Sequence, residues 1–366
     1  MFSLPKTTPA MVLTAPRVLE QRDIALPNID DNSGLLKIEA CGICGTDCEQ
    51  FATGMNLPMP HIPGHEPVGI IAAIGDSAAK KWQVDVGDRV ALETLLACHI
   101  CPRCLSGDYH LCPQRRVYST MPLHHQHGLW GAYSNYMYLD SSSILHKINP
   151  DIPAAIAVMF NPLGAGFRWG VEIPNTQLGD SILIMGPGQR GLAAVIAAKT
   201  AGASQIIVTG LEADRQKLDL AKLFGATHTI DVQNQNLKSE IKSITQGAGV
   251  DIVLDVTPGA TAPIEDALSC VRVGGTVVLA GVKGYKPVSG FISDKVVFKE
   301  IKLLGAFGVT SSGYKKAIQV IESGLLPLEK MHTHQFSLNQ AELAIKTLAR
   351  EIAGEESIHS CLIPEH

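Results

Sequence analysis

Features that mark several special classes of protein are missing from this sequence. It has no apolar run near the roughly 20 residues that a membrane-spanning helix needs. Its 35 Asp and Glu residues outnumber its 30 Lys and Arg residues, and the net charge of −5 offers no basic surface for nucleic acid. The segment 1–27 mixes charged residues with prolines and lacks the apolar stretch of a secretory signal. We therefore expect a cytoplasmic protein that binds neither nucleic acid nor membranes.

The overall composition is that of an ordinary globular protein. Apolar residues make up 46% of the chain and charged residues make up 18%, which is typical of soluble enzymes. A chain of 366 residues is longer than one hydrophobic core usually serves. We therefore predict at least two domains.

Cysteine is the residue type whose placement is most informative. Of the nine cysteines, four lie close together in the pattern C-x2-C-x2-C-x7-C, as Cys98, Cys101, Cys104 and Cys112. In a cytoplasmic chain of this size such a cluster favours a bound metal over disulfides. Four thiolates in one loop suit a closed tetrahedral zinc, which would replace the hydrophobic core that the loop lacks. The alternative, free or disulfide-paired cysteines, fits this spacing less well.

A second candidate metal site lies between Cys41 and Glu66. One end of this stretch reads Cys-Gly-Ile-Cys-Gly-Thr-Asp (41–47), and the other end reads Gly-His-Glu (64–66). A thiolate combined with an imidazole suits a borderline-soft ion such as zinc. The glycines let the backbone turn tightly around such an ion. We predict that this stretch forms one wall of a catalytic metal site.

The hydrophobic pattern changes along the chain. From about Leu13 to Val90 it consists of short β-like runs broken by Gly and Pro, which predicts an irregular β-barrel. Beyond Ile152, strand patterns alternate with helix patterns, which predicts βαβ units and a doubly wound parallel sheet. The strands predicted there are Ser181–Met185, Gln205–Thr209, Val250–Val256, Thr276–Ala280 and Ile301–Phe307, and the helices are Leu192–Ala201 and Asp214–Phe224.

A glycine-rich sequence joins the first of these strands to its helix. It reads Gly186-Pro187-Gly188-Gln189-Arg190-Gly191, which matches G-x-G-x-x-G. This pattern alone is weak, but its position between a strand and a helix of a βαβ unit is the context that supports it. The first glycine permits the tight turn, the second lets a pyrophosphate approach, and the third lets the helix pack closely. We predict dinucleotide binding at the helix N-terminus rather than a purely structural turn.

Taken together, these motifs resemble those of the zinc-containing medium-chain dehydrogenases, the group of alcohol, sorbitol and threonine dehydrogenases. The resemblance rests on residues 41–47, 64–66 and 161–164, the four-cysteine cluster and the glycine fingerprint, and it extends over nearly the whole chain. It implies an α/β protein with a GroES-like β-barrel catalytic domain at 1–158, a Rossmann domain at 159–300 and a return segment at 301–366 that completes both. It also implies an active site between the domains and a homodimer or homotetramer.

Carried over by position, the resemblance implies a role for each residue of the predicted catalytic metal site. Cys44 and His65 would be zinc ligands, and Glu66 would lie beside the metal, close enough to approach it. Thr46 would accept the proton of an alcohol. Asp47 would orient the histidine, as metal-bound histidines usually require.

Two residues depart from the family pattern. Asn161 stands where the family has Cys, Glu or Asp as the third ligand, and its uncharged oxygen leaves the site more positive. We expect either weaker zinc binding with stronger acidification of the alcohol, or recruitment of Glu66 as the third ligand; loss of the metal is the alternative. Glu49 stands where many relatives have a histidine that passes the proton to solvent. It could carry that proton, or it could be an ordinary surface residue.

The choice of nucleotide depends on the end of the second strand of the parallel sheet. An acidic residue there favours NAD by binding the ribose hydroxyls. Counting forward from Gly202 puts Gly210 at this position, whereas counting back from Gly225 puts Glu212 there, and Arg215 could instead bind a 2′-phosphate. We expect NAD, with NADP as the alternative. The remaining predicted cofactor-binding residues are Thr257 and Gly281.

The resemblance implies a zinc-dependent dehydrogenase that oxidises a small-molecule alcohol, secondary or polyol, with hydride transfer to NAD(P). It implies two Zn²⁺ ions per chain, one catalytic and one structural. Two alternatives differ in function. The chain could work physiologically as an NAD(P)H-dependent carbonyl reductase, or it could be a catalytically silent nucleotide-binding relative with a structural or regulatory role.

Overall fold

The chain divides into two compact units. Unit 1 takes the chain up to Asn161 and again from Ile318, and unit 2 takes Pro162–Ala317. The structure, a computed structural model, describes residues 4–365, so residues 1–3 and 366 of the predicted domain ranges lie outside it. Unit 2 extends past residue 300, the predicted end of the Rossmann domain, because a strand at Lys302–Gly305 pairs within its sheet.

Strands and helices are distributed over both units. The strands are β1 (Thr7–Ala15), β2 (Val18–Ala25), β3 (Gly34–Gly42), β4 (Pro67–Ile74), β5 (Arg89–Leu92), β6 (Leu95–Leu96), β7 (Arg116–Val117), β8 (Tyr136–Leu139), β9 (Leu145–Lys147), β10 (Ser181–Met185), β11 (Gln205–Gly210), β12 (His228–Asp231), β13 (Val250–Asp255), β14 (Val271–Leu279), β15 (Lys302–Gly305), β16 (His332–Phe336) and β17 (His359–Leu362). The α-helices are α1 (Gly45–Thr53), α2 (Asp76–Trp82), α3 (Pro102–Leu105), α4 (Ala154–Ala157), α5 (Phe160–Phe167), α6 (Gln189–Thr200), α7 (Arg215–Leu223), α8 (Leu237–Ile244), α9 (Ala262–Cys270), α10 (Ser293–Lys299), α11 (Ser311–Ser323) and α12 (Ala341–Leu348). None of the described helices combines the length and the apolar character needed to cross a membrane.

Unit 2 is built on one six-stranded parallel sheet. Its strand order is β12-β11-β10-β13-β14-β15, and every neighbouring pair is parallel. Numbered from β10, this is the order 3-2-1-4-5-6 of a doubly wound dinucleotide-binding fold. The central strand β10 is buried along its whole length, as expected for an apolar run covered by helices on both faces. The predicted strands and helices of this unit are confirmed, with their ends moved by a few residues.

Unit 1 is built mainly on a mixed seven-stranded sheet. The pairing runs β16-β17-β3-β4-β5-β9, and β8 pairs with β3 beside β17. The C-terminal strands therefore return to the N-terminal part of the chain: β17 pairs with the last residues of β3, at Cys41 and Gly42. This is the part of β3 that leads into the predicted metal site.

The β-barrel predicted for this unit needs a correction. Among residues 4–365 the strands of the sheet do not pair round into a closed barrel, and the end strands β16 and β9 are not neighbours. The β1–β2 hairpin is a separate two-stranded sheet, joined to the rest only by single bridges such as Ala10 to Ser134 and Leu13 to His61. Register shifts in β3 at Leu35/Leu36 and at Ile38/Ala40 interrupt its ladder with β4. Such irregularities bend the strand and interrupt its pairing locally.

Two histidines meet where β16 and β17 pair. The Nδ1 atoms of His332 and His359 lie 3.1 Å apart, and His359 is fully buried. Burial, with a smaller effect of His332, lowers the pKa of His359 to about 3. Its Nε2 atom is also buried and has no hydrogen-bond partner among the described residues. A proton added there would have no acceptor, which is the physical reason that the ring stays neutral.

We predict that this buried histidine makes the fold acid-sensitive. Between pH 6.5 and about 3 the unfolded chain binds a proton at His359 that the folded chain does not bind. Its contribution to stability is therefore complete above pH 6.5 and is lost as the pH falls. In urea unfolding at pH 6, 5 and 4, the free energy of unfolding of wild type should fall more steeply than that of His359→Gln, by a difference that approaches about 1.4 kcal/mol per pH unit.

The control is His124→Gln, which changes an exposed histidine. Its pH dependence should match that of wild type. Equal slopes for wild type and His359→Gln would contradict the prediction.

Candidate metal centres and dinucleotide site

The N-terminus of helix α1 holds two of the predicted site residues. Cys44 is the N-cap, and the backbone N–H of Thr46 donates to its Sγ at 3.3 Å. In return, the backbone N–H of Cys44 donates to Oδ2 of Asp47 at 2.9 Å. These reciprocal bonds form a capping box in which a cysteine takes the usual place of serine or threonine. The start of the helix therefore fixes both side chains at once.

A tight turn before β4 brings the histidine to the same place. Gly64 has φ 91°, and a Cβ at this position would lie 2.4 Å from the Tyr133 ring, so only glycine fits. The turn puts His65 Nε2 3.1 Å from Cys44 Sγ. Cys44, His65 and Glu66 are all buried, and one ligand atom from each lies within 4.8 Å of the others.

The electrostatics of this cluster suit a cation. Burial by itself lowers the pKa of His65, but the thiolate of Cys44 and the carboxylate of Asp47 outweigh it and hold that pKa well above its usual value. Asp47 Oδ1 and His65 Nδ1 lie 3.4 Å apart, both buried and without a hydrogen bond. A small approach would join them as the carboxylate–histidine pair typical of metal-bound histidines. A sulfur, a ring nitrogen and a carboxylate oxygen form a donor set that fits zinc.

Glycine at position 42 leaves room for the third member of the cluster. A Cβ on Gly42 would lie 2.6 Å from Oε2 of Glu66. The backbone N–H of Gly42 also donates to the carbonyl of Glu66 at 3.0 Å, so the two strands are held close at this point. Any larger residue at position 42 would displace the carboxylate.

The remaining predicted residues of this site are Asn161, Thr46 and Glu49. Asn161 is buried in the first turn of α5, and its Nδ2 donates to Thr94 Oγ1 at 3.4 Å. The same Thr94 Oγ1 donates to the carbonyl of His65 at 2.9 Å. Thr46 is exposed and Glu49 is half-buried on α1. Their i, i+3 spacing puts these two side chains on one face of the helix.

The four-cysteine cluster forms a second candidate metal centre. Neighbouring sulfur atoms of Cys98, Cys101, Cys104 and Cys112 lie 3.5–3.9 Å apart. Four sulfurs around one zinc, with Zn–S near 2.3 Å, would lie about 3.8 Å apart. A disulfide would require about 2.05 Å, so the spacing fits a shared ion and not a bridge. None of the described cysteines is in a disulfide.

The glycine fingerprint lies between β10 and α6 in unit 2. Gly186 has φ 102°, which favours glycine, and a Cβ on Gly191 would lie 1.9 Å from the carbonyl oxygen of Gly186. Gly188 is the N-cap of α6, and a Cβ there would meet no protein atom within 4 Å. Open space in front of a helix N-terminus suits a phosphate. Arg190 stacks on Trp169, with the guanidinium 5.0 Å from the ring centre, and the other two residues of the fingerprint are Pro187 and Gln189.

The other predicted nucleotide residues follow the carboxyl ends of the strands. Gly210 is the last residue of β11, so the strand itself ends without an acid. Glu212 and Arg215 are exposed just beyond it, and the backbone N–H of Glu212 donates to Gln233 Oε1 at 2.8 Å. Thr257 and Gly281 follow β13 and β14, and a Cβ on Gly281 would lie 2.2 Å from the carbonyl oxygen of Thr257.

Two groups in these regions were not anticipated from the sequence. Lys283 forms a buried ion pair with Asp255 (Nζ to Oδ2, 2.8 Å) and donates to Thr257 Oγ1 at 2.9 Å. In unit 1, Thr94 contacts two of the predicted ligand residues. Neither residue belongs to a recognisable motif, because a lysine or a threonine in a loop normally indicates a surface position.

The chain is similar to known dehydrogenases over nearly its whole length. Two family models match: the alcohol dehydrogenase GroES-like domain over residues 30–150, and zinc-binding dehydrogenase over residues 191–323. The Mycobacterium tuberculosis protein named "Probable alcohol dehydrogenase adh" is 42% identical over 362 residues, covering 97% of this chain and 98% of that protein. Sorbitol dehydrogenase of Bacillus subtilis is 34% identical, covering 94% of each chain.

A similar fold is also found among solved structures. A crystal structure of a Sinorhizobium meliloti 1021 protein, assigned as a zinc-binding dehydrogenase and bound to NADP, superposes with a TM-score of 0.86. It is 25% identical, and the match covers 98% of this chain and 100% of that chain. Together with the GroES-like match over residues 30–150, this confirms the predicted fold class, a GroES-like domain combined with a Rossmann-like parallel sheet.

Two of the three glycines of the fingerprint, Gly188 and Gly191, should respond differently to substitution by alanine. Gly191→Ala puts a Cβ against a backbone carbonyl, so it should destabilise unit 2 by roughly 1–3 kcal/mol, as over-packing does. Gly188→Ala meets open space in the protein, so its melting temperature should match wild type. The same methyl group should obstruct a pyrophosphate and weaken NAD(H) binding at least about tenfold.

Calorimetric unfolding and titration of NADH fluorescence measure the two effects. Unchanged nucleotide affinity in Gly188→Ala would show that the phosphates do not bind at this turn.

Proposed function

Because this chain belongs to the family of zinc-containing medium-chain dehydrogenases, we propose that it oxidises a secondary alcohol or a polyol to the carbonyl compound. It is an NAD(P)-dependent zinc alcohol dehydrogenase: the alcohol gives a hydride to NAD(P)⁺ and a proton to the protein and solvent. The observation that supports this most directly is the buried group of Cys44, His65 and Glu66, whose ligand atoms lie within 4.8 Å of one another.

Cys44 and His65 would hold the catalytic zinc, with Asn161 or Glu66 as the third protein ligand. Zinc held there supplies a Lewis acid that lowers the pKa of the substrate hydroxyl. Cys98, Cys101, Cys104 and Cys112 would hold a second, structural zinc. The sulfur spacing of 3.5–3.9 Å supports this assignment.

The proton would leave along one face of helix α1. Thr46 Oγ1 accepts the proton of the substrate hydroxyl and gives up its own. Glu49 lies one turn further along the same face and is half-buried, so its carboxylate can receive that proton and pass it to solvent. Asp47 keeps His65 in position, because it is held by the cap of α1 and faces the ring nitrogen at 3.4 Å.

For the nucleotide we favour NAD over NADP. The carboxylate of Glu212 is exposed two residues beyond the end of β11, where it can accept hydrogen bonds from ribose hydroxyls. The Gln233 side chain holds the backbone of Glu212 in this position. Arg215, which is exposed at the start of α7, is the residue that would favour NADP instead.

We also propose that the chain forms a homodimer through the outer edge of β15. This strand pairs with β14 on one side only, and an open edge of a sheet is a template for pairing. Exposed apolar residues lie on it and next to it: Leu303 on the strand, Val297 and Phe298 on α10, and Phe307 beyond the strand. A second copy would cover both the edge and these side chains.

The activity is tested by a coenzyme-reduction screen of zinc-replete protein with secondary alcohols and polyols, using NAD and NADP. Wild type should contain two zinc ions per chain and should reduce NAD. Cys44→Ser should retain one zinc and lose at least about 1,000-fold in kcat/KM, equivalent to roughly 4 kcal/mol of transition-state stabilisation. Cys48→Ser is the matched control, because its thiol donates to the carbonyl of Ile345 and is not one of the predicted ligands.

Asn161→Glu should bind zinc more tightly and move the pH–rate profile toward higher pH, since the added charge makes the ion a weaker acid catalyst. One zinc per chain in wild type, with no turnover of any alcohol, would identify a silent nucleotide-binding protein instead.

The dimer is tested by light scattering during size-exclusion chromatography. Leu303→Lys places a charge on the open strand edge and should raise the dimer dissociation constant by at least about tenfold, corresponding to ~1.4 kcal/mol. Leu325→Lys changes an exposed leucine of unit 1 and should leave the mass unchanged. A monomeric wild type, or a dimer that Leu303→Lys does not weaken, would overturn this assignment.

A further inference from the structure

Thr94 connects two of the residues proposed to hold the catalytic zinc. It lies between β5 and β6, and its hydroxyl oxygen makes two hydrogen bonds. It donates to the backbone carbonyl of His65 at 2.9 Å, and it accepts from Nδ2 of Asn161 at 3.4 Å. The three residues are far apart in the sequence, so this junction exists only in the folded chain.

The chemistry of a hydroxyl determines which end of the amide can face it. A threonine hydroxyl has one hydrogen and two lone pairs. A carbonyl oxygen can only accept, so the hydrogen of Thr94 is committed to His65. Only lone pairs are then left toward Asn161, and they require a donor, which is Nδ2. The acceptor atom Oδ1 must therefore be on the side of the amide turned away from Thr94.

We propose that Thr94 is a positioning residue of the catalytic metal site. It selects the orientation of the Asn161 amide in which Oδ1, and not Nδ2, would face the cation, and it steadies the backbone of His65. This inference rests on the proposed function, because it assumes a zinc ion at Cys44 and His65. The orientation of an asparagine ligand must be fixed, because the flipped amide would turn its N–H groups, with their partial positive charge, toward the metal. A carboxylate has two equivalent oxygens and needs no selection.

The backbone of Thr94 is itself held on both sides. Its carbonyl accepts from the N–H of Tyr118 at 3.0 Å. The adjacent Glu93 is 1% exposed and binds Tyr109 Oη at 2.6 Å and His146 Nε2 at 2.7 Å. A hydroxyl on a fixed backbone segment can orient its partners, because it does not move to follow them.

The experiment is a double-mutant cycle read out by metal binding, without turnover. Thr94→Val removes the hydroxyl at nearly constant shape, and Thr94→Ser retains it. Both changes are made in the wild-type chain and in Asn161→Asp. Each protein is dialysed against zinc buffers of graded free Zn²⁺, and zinc per chain is measured by mass spectrometry. The quantity compared is the free Zn²⁺ concentration at which the second zinc is half bound.

Thr94→Val should raise this concentration about tenfold when residue 161 is asparagine, as is usual when an outer partner of a metal ligand is lost. Thr94→Ser should restore it to within about threefold of wild type. In the Asn161→Asp background, Thr94→Val should raise the free Zn²⁺ concentration at half binding by less than about threefold, because the two oxygens of a carboxylate are equivalent. The control Thr347→Val removes a buried hydroxyl that bonds only within α12 and should have no effect.

Three results would overturn the proposal, and they can be told apart. Equal zinc binding in wild type and Thr94→Val would show that the hydroxyl orients nothing. The same loss in both backgrounds would show that Thr94 acts only through the His65 backbone. Absence of a second zinc in the wild-type chain would reject the proposed catalytic metal site itself, and the inference with it.

Discussion

The capping box at the start of helix α1 is the interaction on which the candidate metal site depends. Cys44 ends the non-helical segment and accepts an N–H from the first turn, while Asp47 returns a hydrogen bond to the Cys44 backbone. The same two side chains then face His65, at 3.1 Å and 3.4 Å. The hydrogen bonds that start the helix therefore also position the predicted ligands, and any change in the cap would alter the candidate metal site.

This arrangement brings acidic groups together in the interior of unit 1. Cys44, Asp47 and Glu66 are all nearly inaccessible to solvent. Burying such groups is costly unless a positive charge compensates them. A protonated His65 can do so in part, and its raised pKa reflects this, but a divalent cation does so more fully. Metal binding by this cluster would therefore be coupled to the stability of unit 1, as is usual for metal sites in small domains.

In unit 2, the predicted nucleotide site depends on missing Cβ atoms at glycines more than on charged side chains. Its glycines leave room where a Cβ would strike a carbonyl, as at Gly191 and Gly281. A buried charge pair near the predicted nucleotide residues, Lys283 with Asp255, holds Thr257 in position at the end of β13. A phosphate-bearing ligand at Gly188 would thus meet the N–H groups of the α6 N-terminus.

The sequence by itself predicted the chemical classes of the candidate sites and the parallel, doubly wound sheet of unit 2. Cysteine spacing, the Gly-His-Glu triplet and the glycine fingerprint are short-range patterns, and short segments constrain local geometry strongly. The apolar runs of β10, β11 and β13 predicted a parallel sheet for the same reason. Only the tertiary structure decided that the sheet of unit 1 stays open, that Thr94 joins Asn161 to His65, and that His359 is buried against His332. These features depend on pairings between segments tens to hundreds of residues apart, and such pairings follow from packing, which leaves no local pattern in the chain.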